Sequence, residues 1–365
     1  MQIKPCFALC KNFSEKTFLM SLQKCGSVTI FCVMRQTNTT ADLKQNNTQA
    51  VKKALLALGS ATKAELSQAT GLSVVTCGNI LNELASSGEI AEDEQRISNG
   101  GRPAMAYQYN HEKGKSLCMY AHADHEGKFL RYRVEDIGGN IKQNGFFRER
   151  EISAETIIAN ARKILKKESG ISVIVVGVQG CVNNGIIEFC DIKELRGINL
   201  AEKIEKALQI PTVVENDMNT IALGYSKANS DEKNVALLFF PKGNTPAGGF
   251  IVDGKILRGT SNLAGELSYF PFGFDKNSQS AAFSDIEYAM PIVNQLVTAA
   301  IVFLDPAQIV ITGGLAVEIS EQAIISHLRK HLNRLQLPRI IIKPNIESDY
   351  FAGLHSLAVD RLLEP

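Results

Sequence analysis

The stretch Val213-Val214-Glu215-Asn216-Asp217-Met218-Asn219-Thr220, running into Ile221-Ala222-Leu223-Gly224, decides how the rest of the chain is read. The apolar run Ile210 to Val214, with Pro211 at its start, reads as a buried strand. It ends in a cluster of carboxylate and carboxamide groups. A helix opens there, capped by Asn216 or Asp217, with Ile221, Ala222 and Leu223 continuing its apolar face. In α/β proteins, polar ligands sit at the carboxyl ends of parallel strands. An Asn beside an Asp at that place grips neighbouring hydroxyls, the carboxamide giving and accepting, the ionised carboxylate only accepting. That pattern suits a sugar. An Asx turn capping a helix with no ligand is the alternative reading of the same residues.

Working outward, 365 residues predict two or three domains. The apolar share of 45% and charged share of 21% are those of an ordinary globular protein. Charges nearly cancel (39 basic minus 38 acidic gives +1), so overall charge announces neither a nucleic-acid nor a membrane partner. No apolar run approaches the ~18–20 residues of a membrane span. Cys6, Cys10, Cys25 and Cys32 lie near the start, whereas Cys77, Cys118, Cys181 and Cys190 lack paired spacing, as expected of reduced, buried thiols in the cytoplasm. Residues 1–45 read as an extension. Met1 to Met34 lacks the pattern of a signal peptide, Arg35 to Asn47 is polar as in a loop or disordered arm, and Met34 is the expected native start.

Residues 46–110 carry a helix-turn-helix pattern. Val51, Leu55 and Leu58 form a helical stripe, and Thr62-Lys63-Ala64-Glu65 is a capping box. Gly71 turns the chain, and Ser73 caps a helix whose inner face is read as Val75, Ile80, Leu81 and Leu84, closed by Gly88. Ile90 to Tyr109 then forms a hairpin around Asn99-Gly100-Gly101-Arg102-Pro103, completing a winged helix. Its charge is poor for DNA: Lys52, Lys53, Lys63, Arg96 and Arg102 face six acidic residues, and the recognition helix has no Lys or Arg. DNA contact therefore falls to Ser73, Thr76 and Asn79, with Asn82 in reach and Arg102 at the wing tip, the Asn side chains pairing with adenine. A protein-contact or dimerisation module is the other reading.

Residues 111–365 read as α/β. Strands are expected at Ser116–Tyr120, Phe129–Val134 and after Gly138-Gly139, then a helix through Ile157 to Leu165. Ile171 to Val178 is a β-branched run suited to a strand buried on both faces, ending at Gly177-Val178-Gln179-Gly180. A second series repeats the logic: strand Val235–Phe240, loop Gly243 to Gly249, a hairpin turn at Asp253-Gly254, and the loop Gly259 to Glu266. Helix, strand, helix, strand and helix close the chain. Two successive sheets with covering helices predict two lobes and a cleft, lobe 1 at about 111–228 plus the C-terminal helix and lobe 2 at about 229–348.

These motifs together resemble the ROK family (repressors, open reading frames and sugar kinases). The matching residues are Gly100-Gly101-Arg102-Pro103, Gly177-Val178-Gln179-Gly180, Glu215-Asn216-Asp217-Met218-Asn219, Ala264-Gly265-Glu266, and Asp305-Pro306 leading to Gly313-Gly314. The resemblance implies a two-lobed actin/hexokinase-like (ribonuclease H-like) α/β domain behind a small winged helix. It assigns Asn216, Asp217 and Glu266 to sugar hydroxyls, Asp217 being the general base in a kinase. Gly180 and Tyr269 join the expected ligand set.

The departures matter as much. Where the family's first phosphate loop reads Asp-x-Gly-Gly-Thr, this chain has Asp124-His125-Glu126-Gly127-Lys128, a carboxylate near the phosphate oxygens relieved in part by Lys128. The second loop is Gly243-Asn244-Thr245-Pro246-Ala247, in which Pro246 lacks an amide donor. Both losses oppose phosphoryl transfer and ATP binding. The family's zinc motif is missing: Tyr269 stands at its His position and no cysteine follows Cys190, so neither metal nor cofactor is expected. His327 and His331 have no third ligand nearby in sequence. The reading is a sugar-responsive regulator, expected to repress carbohydrate uptake or catabolism genes. Its expected partners are a DNA operator and a carbohydrate effector, with no membrane, and it is expected to be a homodimer or dimer of dimers. An active ROK-type sugar kinase, or a regulator controlled by a transport protein, are the rivals.

Overall fold

The computed structural model describes residues 40–96, 104–124, 127–183, 185–229, 232–332 and 336–364. The expected start at Met34, the wing tip with Arg102, and His125 and Glu126 lie outside the described residues.

A helical head comes first: α1 (Thr40–Leu58), β1 (Ser60–Thr62), α2 (Lys63–Thr70), α3 (Val74–Ser86), β2 (Ile90–Arg96) and β3 (Ala104–Tyr109), with the strands ordered β1-β3-β2. Helix α1 starts at Thr40, inside the segment read as a polar arm; Asp42 in its first turn suits the positive end of the helix dipole. Thr62 and Glu65 make the capping box at α2, and Ser73 caps α3. One assignment is corrected. Val75 is 73% exposed, and the inner face of α3 is Cys77, Ile80, Leu81 and Leu84. At 100° per residue, Val75 and Ile80 stand about 140° apart and cannot share a face. Val51, Leu55 and Leu66 complete this core, joined by Ile137 and Leu363 from the larger domain.

The remainder folds as two sheets of one design. The first comprises β4 (Lys115–Asp124), β5 (Gly127–Asp136), β6 (Ile141–Glu149), then α4 (Ala154–Leu165) and β7 (Ile171–Val178). The small hairpin β8 (Val182–Asn183) and β9 (Ile186–Ile187), α5 (Leu200–Leu208), β10 (Thr212–Asn216) and α6 (Asp217–Ala228) follow. The second comprises β11 (Val235–Phe239), β12 (Ala247–Val252), β13 (Lys255–Ile256), α7 (Lys276–Ala282), α8 (Ile286–Leu304), β14 (Gln308–Thr312), α9 (Glu321–His331) and β15 (Arg339–Ile342). Helix α10 (Glu347–Leu363) closes the chain.

Strand orders are β10-β7-β4-β5-β6 and β13-β12-β11-β14-β15. In each sheet the first strand carries an antiparallel pair on one side and two parallel strands on the other. Helices α4 and α5 cover the outer face of the first sheet, and α8 and α9 that of the second. Between the sheets lie α6 and α10. They cross at glycines: a Cβ on Gly224 would meet the Asp349 carbonyl oxygen at 1.8 Å, and one on Gly353 the Thr220 carbonyl oxygen at 1.9 Å.

Two further expectations change. The opening strand begins at Thr212, two residues late, and occupies the edge of its sheet, so Val213 and Val214 are half-buried instead of enclosed. Helix α8 is long and apolar enough, by length and composition, to cross a membrane. The sequence reading missed this because uncharged Asn294, Gln295 and Thr298 interrupt the run. Its inner face, Ala289, Ile292, Val293, Leu296 and Val297, packs into the core of the second lobe.

Candidate functional site

The edge position of β10 delivers its carboxyl end to the cleft. Asn216 is the N-cap of α6: its Oδ1 accepts from the Asn219 N–H at 2.9 Å and its Nδ2 donates to the Gly180 carbonyl at 2.9 Å. The cap of the Asx-turn reading is thus present, and the Asn216 side chain is tied to the loop after β7. Gly180 itself lies against the backbone of Phe189 and Cys190, where a Cβ would come within 2.0 Å of the Phe189 oxygen. Behind Asn216, the buried Glu215 carboxylate accepts from the Asn216 N–H, Asn219 Nδ2 and the Arg258 guanidinium, whose Nη2 is 2.5 Å away. Arg258 follows β13, so this pair joins the two lobes.

A cleft of about 400 Å³ opens in front, lined by Asn216, Asp217, Gly180, Asp191, Gln179 and Glu266 among others. Carboxyl groups crowd its floor. Burial pushes the Asp217 carboxyl up to about 8; the Met218 N–H bonded to it at 2.9 Å opposes this, and Asp191 and Glu266 add to it. Asp217 is half-buried in the wall of the cleft. Burial likewise raises Asp191, with Arg196 opposing. Asp217 therefore holds its proton over much of the neutral range and donates as well as accepts, in contrast to the acceptor-only role expected.

A second cavity of only about 10 Å³ lies beside it, between Asn216, Asn219, Asn262 and Glu266. It has room for one water. Asn262 shuts it from the other lobe, donating to the Val182 carbonyl at 3.0 Å and to Asn183 Oδ1 at 3.2 Å. Asn219 Oδ1 is buried with no hydrogen-bond partner among the described residues. Sequence reasoning overlooked Asp191, Asn219 and Arg258. Only Asn219, inside the opening motif, carried a signal that would have found it.

Of the other expected residues, Tyr269 stacks on Phe189 with ring centroids 6.2 Å apart, and its neighbour Ser268 lines the cleft. Ser73 and Thr76 share a hydroxyl–hydroxyl bond of 2.8 Å, while Asn79 is exposed on α3.

At the far end of the cleft, three backbone amides are already bonded within the protein. The Ala123 N–H donates to Gln179 Oε1 at 2.8 Å. In the second loop, the Gly243 N–H is bonded to the Phe283 carbonyl and the Thr245 N–H to Asn244 Oδ1, and Pro246 has none. Lys128, expected to offset Glu126 in part, pairs with Glu194 at 2.6 Å, which lowers the Glu194 carboxyl.

Residues 130–279 match the family model described as "ROK family". Over those residues the chain is similar to the ROK family. The xylose repressor of Caldicellulosiruptor bescii is 24% identical over 240 residues, 64% of this chain and 60% of that protein. The xylose repressor of Bacillus subtilis is 24% identical over 243 residues, 64% of this chain and 62% of that protein. The chain thus spans about three-fifths of the length of these curated relatives. Among solved structures, a ROK family transcriptional regulator, a homolog of E. coli MLC protein, superposes with a TM-score of 0.69. It is 20% identical and covers 88% of this chain and 98% of that one, so the match extends well beyond the family-model region in fold. The two-lobed hexokinase-like α/β fold expected from the ROK motifs is the fold observed.

Proposed function

We propose that this protein is a sugar-responsive transcriptional repressor acting in the cytoplasm, in which a kinase-shaped cleft binds a carbohydrate without phosphorylating it. One observation carries the reading: the cleft keeps a carboxyl-lined floor, while among the described residues three backbone donors of the two loops that depart from the family's phosphate loops are bonded internally. The Gly243 and Thr245 N–H groups and that of Ala123 all have protein acceptors. Phosphoryl transfer rests on such donors and on charge stabilisation, so their commitment removes the kinase chemistry and leaves recognition. Similarity to the two xylose repressors supports the same reading.

In this mechanism a sugar contacts Asp217, Glu266 and the exposed edge of Asn216 and draws the lobes together. The winged-helix heads of a homodimer then change spacing, and DNA affinity shifts by the ligand's differential affinity for the two states. Asp217→Ala is expected to cut sugar binding about ten- to a hundredfold (two hydrogen bonds to a neutral carboxyl at ~0.5–1.5 kcal/mol each), while apo DNA binding stays intact. Calorimetry over pentoses, hexoses and amino sugars, with gel shifts in parallel, tests it. Unchanged affinity in the variant would refute the assignment, and ADP release with any of these sugars would refute the loss of kinase activity.

A further inference from the structure

The outward stripe of α3 has an unusual chemistry for a helix assigned to DNA. Val75 is 73% exposed and Val74 49%, two β-branched aliphatic side chains presented to water in the first turn. Val75, Asn79, Asn82 and Ser86 follow one another at four, three and four residues, and so form one stripe turned away from Cys77, Ile80, Leu81 and Leu84. The hydroxyls expected to reach bases are committed locally. Ser73 Oγ accepts from the Thr76 N–H at 3.0 Å, and the two hydroxyls bond each other. What the stripe offers outward is methyl groups followed by carboxamides.

Resting on the DNA-binding reading above, we propose that Val75, with Val74 beside it, packs on thymine 5-methyl groups in the major groove while Asn79 pairs with adenine, so that this helix selects A·T-rich half-sites. Each base pair shows a distinct pattern in that groove. Thymine alone adds a methyl group, and adenine N6 and N7 match an Asn carboxamide in a bidentate pair. Guanine is read best by Arg or Lys, and α3 has neither, Glu83 being its sole charged residue. The residues nearest the N-terminus of a recognition helix are those that meet base edges, which is where the two valines stand. Thymine methyls also let an uncharged helix gain affinity by burying apolar surface, a term independent of phosphate neutralisation.

The full-length protein is the material for the test. Duplexes enriched from a random library at fixed salt are expected to be A·T-rich where α3 contacts them. Replacing thymine by deoxyuridine, which removes only the methyl group, should weaken binding about fourfold per contacted methyl. Val75→Ala should weaken binding to the thymine duplex by a similar factor and be indifferent to the replacement. Because Val75 is exposed, its melting temperature should match that of the parent. Equal binding of thymine and deoxyuridine duplexes, a thymine preference that survives in Val75→Ala, or G·C-rich enriched sequences would each overturn the proposal. Failure to enrich any duplex overturns the DNA-binding reading itself. If Val75→Ala instead abolishes self-association and leaves DNA affinity unchanged, the stripe is a protein contact.

Discussion

The two ends of the cleft differ in their groups and in how those groups are bonded. At the floor, Asp191, Asp217 and Glu266 converge and burial raises two of these carboxyls, and in the small cavity beside it Asn219 Oδ1 is left without a partner among the described residues. At the far end the amides of Ala123, Gly243 and Thr245 are already bonded within the protein. Unsatisfied or strained polar groups persist only where something compensates, while satisfied ones simply stabilise the fold. On the proposed reading, one end of the cleft keeps binding potential and the other has turned it into structure.

The largest expected effect strikes both ends together. Gly224→Val places a side chain where the Asp349 carbonyl already lies 1.8 Å from a Cβ. It should cost more than about 3 kcal/mol or prevent folding, since backbone cannot yield as a flexible side chain does. Denaturant unfolding measures it, and a near-native midpoint would mean that α6 and α10 cross further apart.

The floor is sharpened next by pH. Asp217 titrates at about 8 in the folded protein, against about 4 when unfolded. Between those values the native state binds more protons, so this group makes stability fall as pH rises and adds no further slope above 8. Asp217→Asn should remove that contribution, its stability relative to wild type improving from pH 5 to pH 8. Parallel titration curves for the two proteins would show that the site is wetter than its geometry implies.

At the far end the effects are smaller. Gln179→Ala frees the Ala123 amide and should cost about 1 kcal/mol of stability. A coupled assay should still detect no ADP release, because Pro246 and the bonded amides of the second loop remain. Appearance of turnover would mean that Gln179 alone blocks the site. Least of all, Lys128→Ala should change stability by under about 1 kcal/mol, as the Lys128–Glu194 pair is partly solvated. A larger loss would assign Lys128 a contact in the cleft.

Local chemistry explains what could be read in advance. Capping at Thr62, Ser73 and Asn216 depends on neighbours three residues away, and the β-branched run Ile171 to Val178 is a strand wherever it packs. Thus the sequence by itself determined the helix starts, the buried parallel strand and the motifs that resemble those of the ROK family. It misjudged Val75 because an apolar residue near a helix start looks like core until its angle to Ile80 and Leu81 is known. The edge position of β10 and the bond that ties Asn216 to Gly180, the latter 36 residues apart, were decided only in three dimensions. So were the Glu215–Arg258 pair across the lobes and the proton held by Asp217. Each depends on which distant groups exclude water from the same small volume, and desolvation of that kind has no signature in residue order.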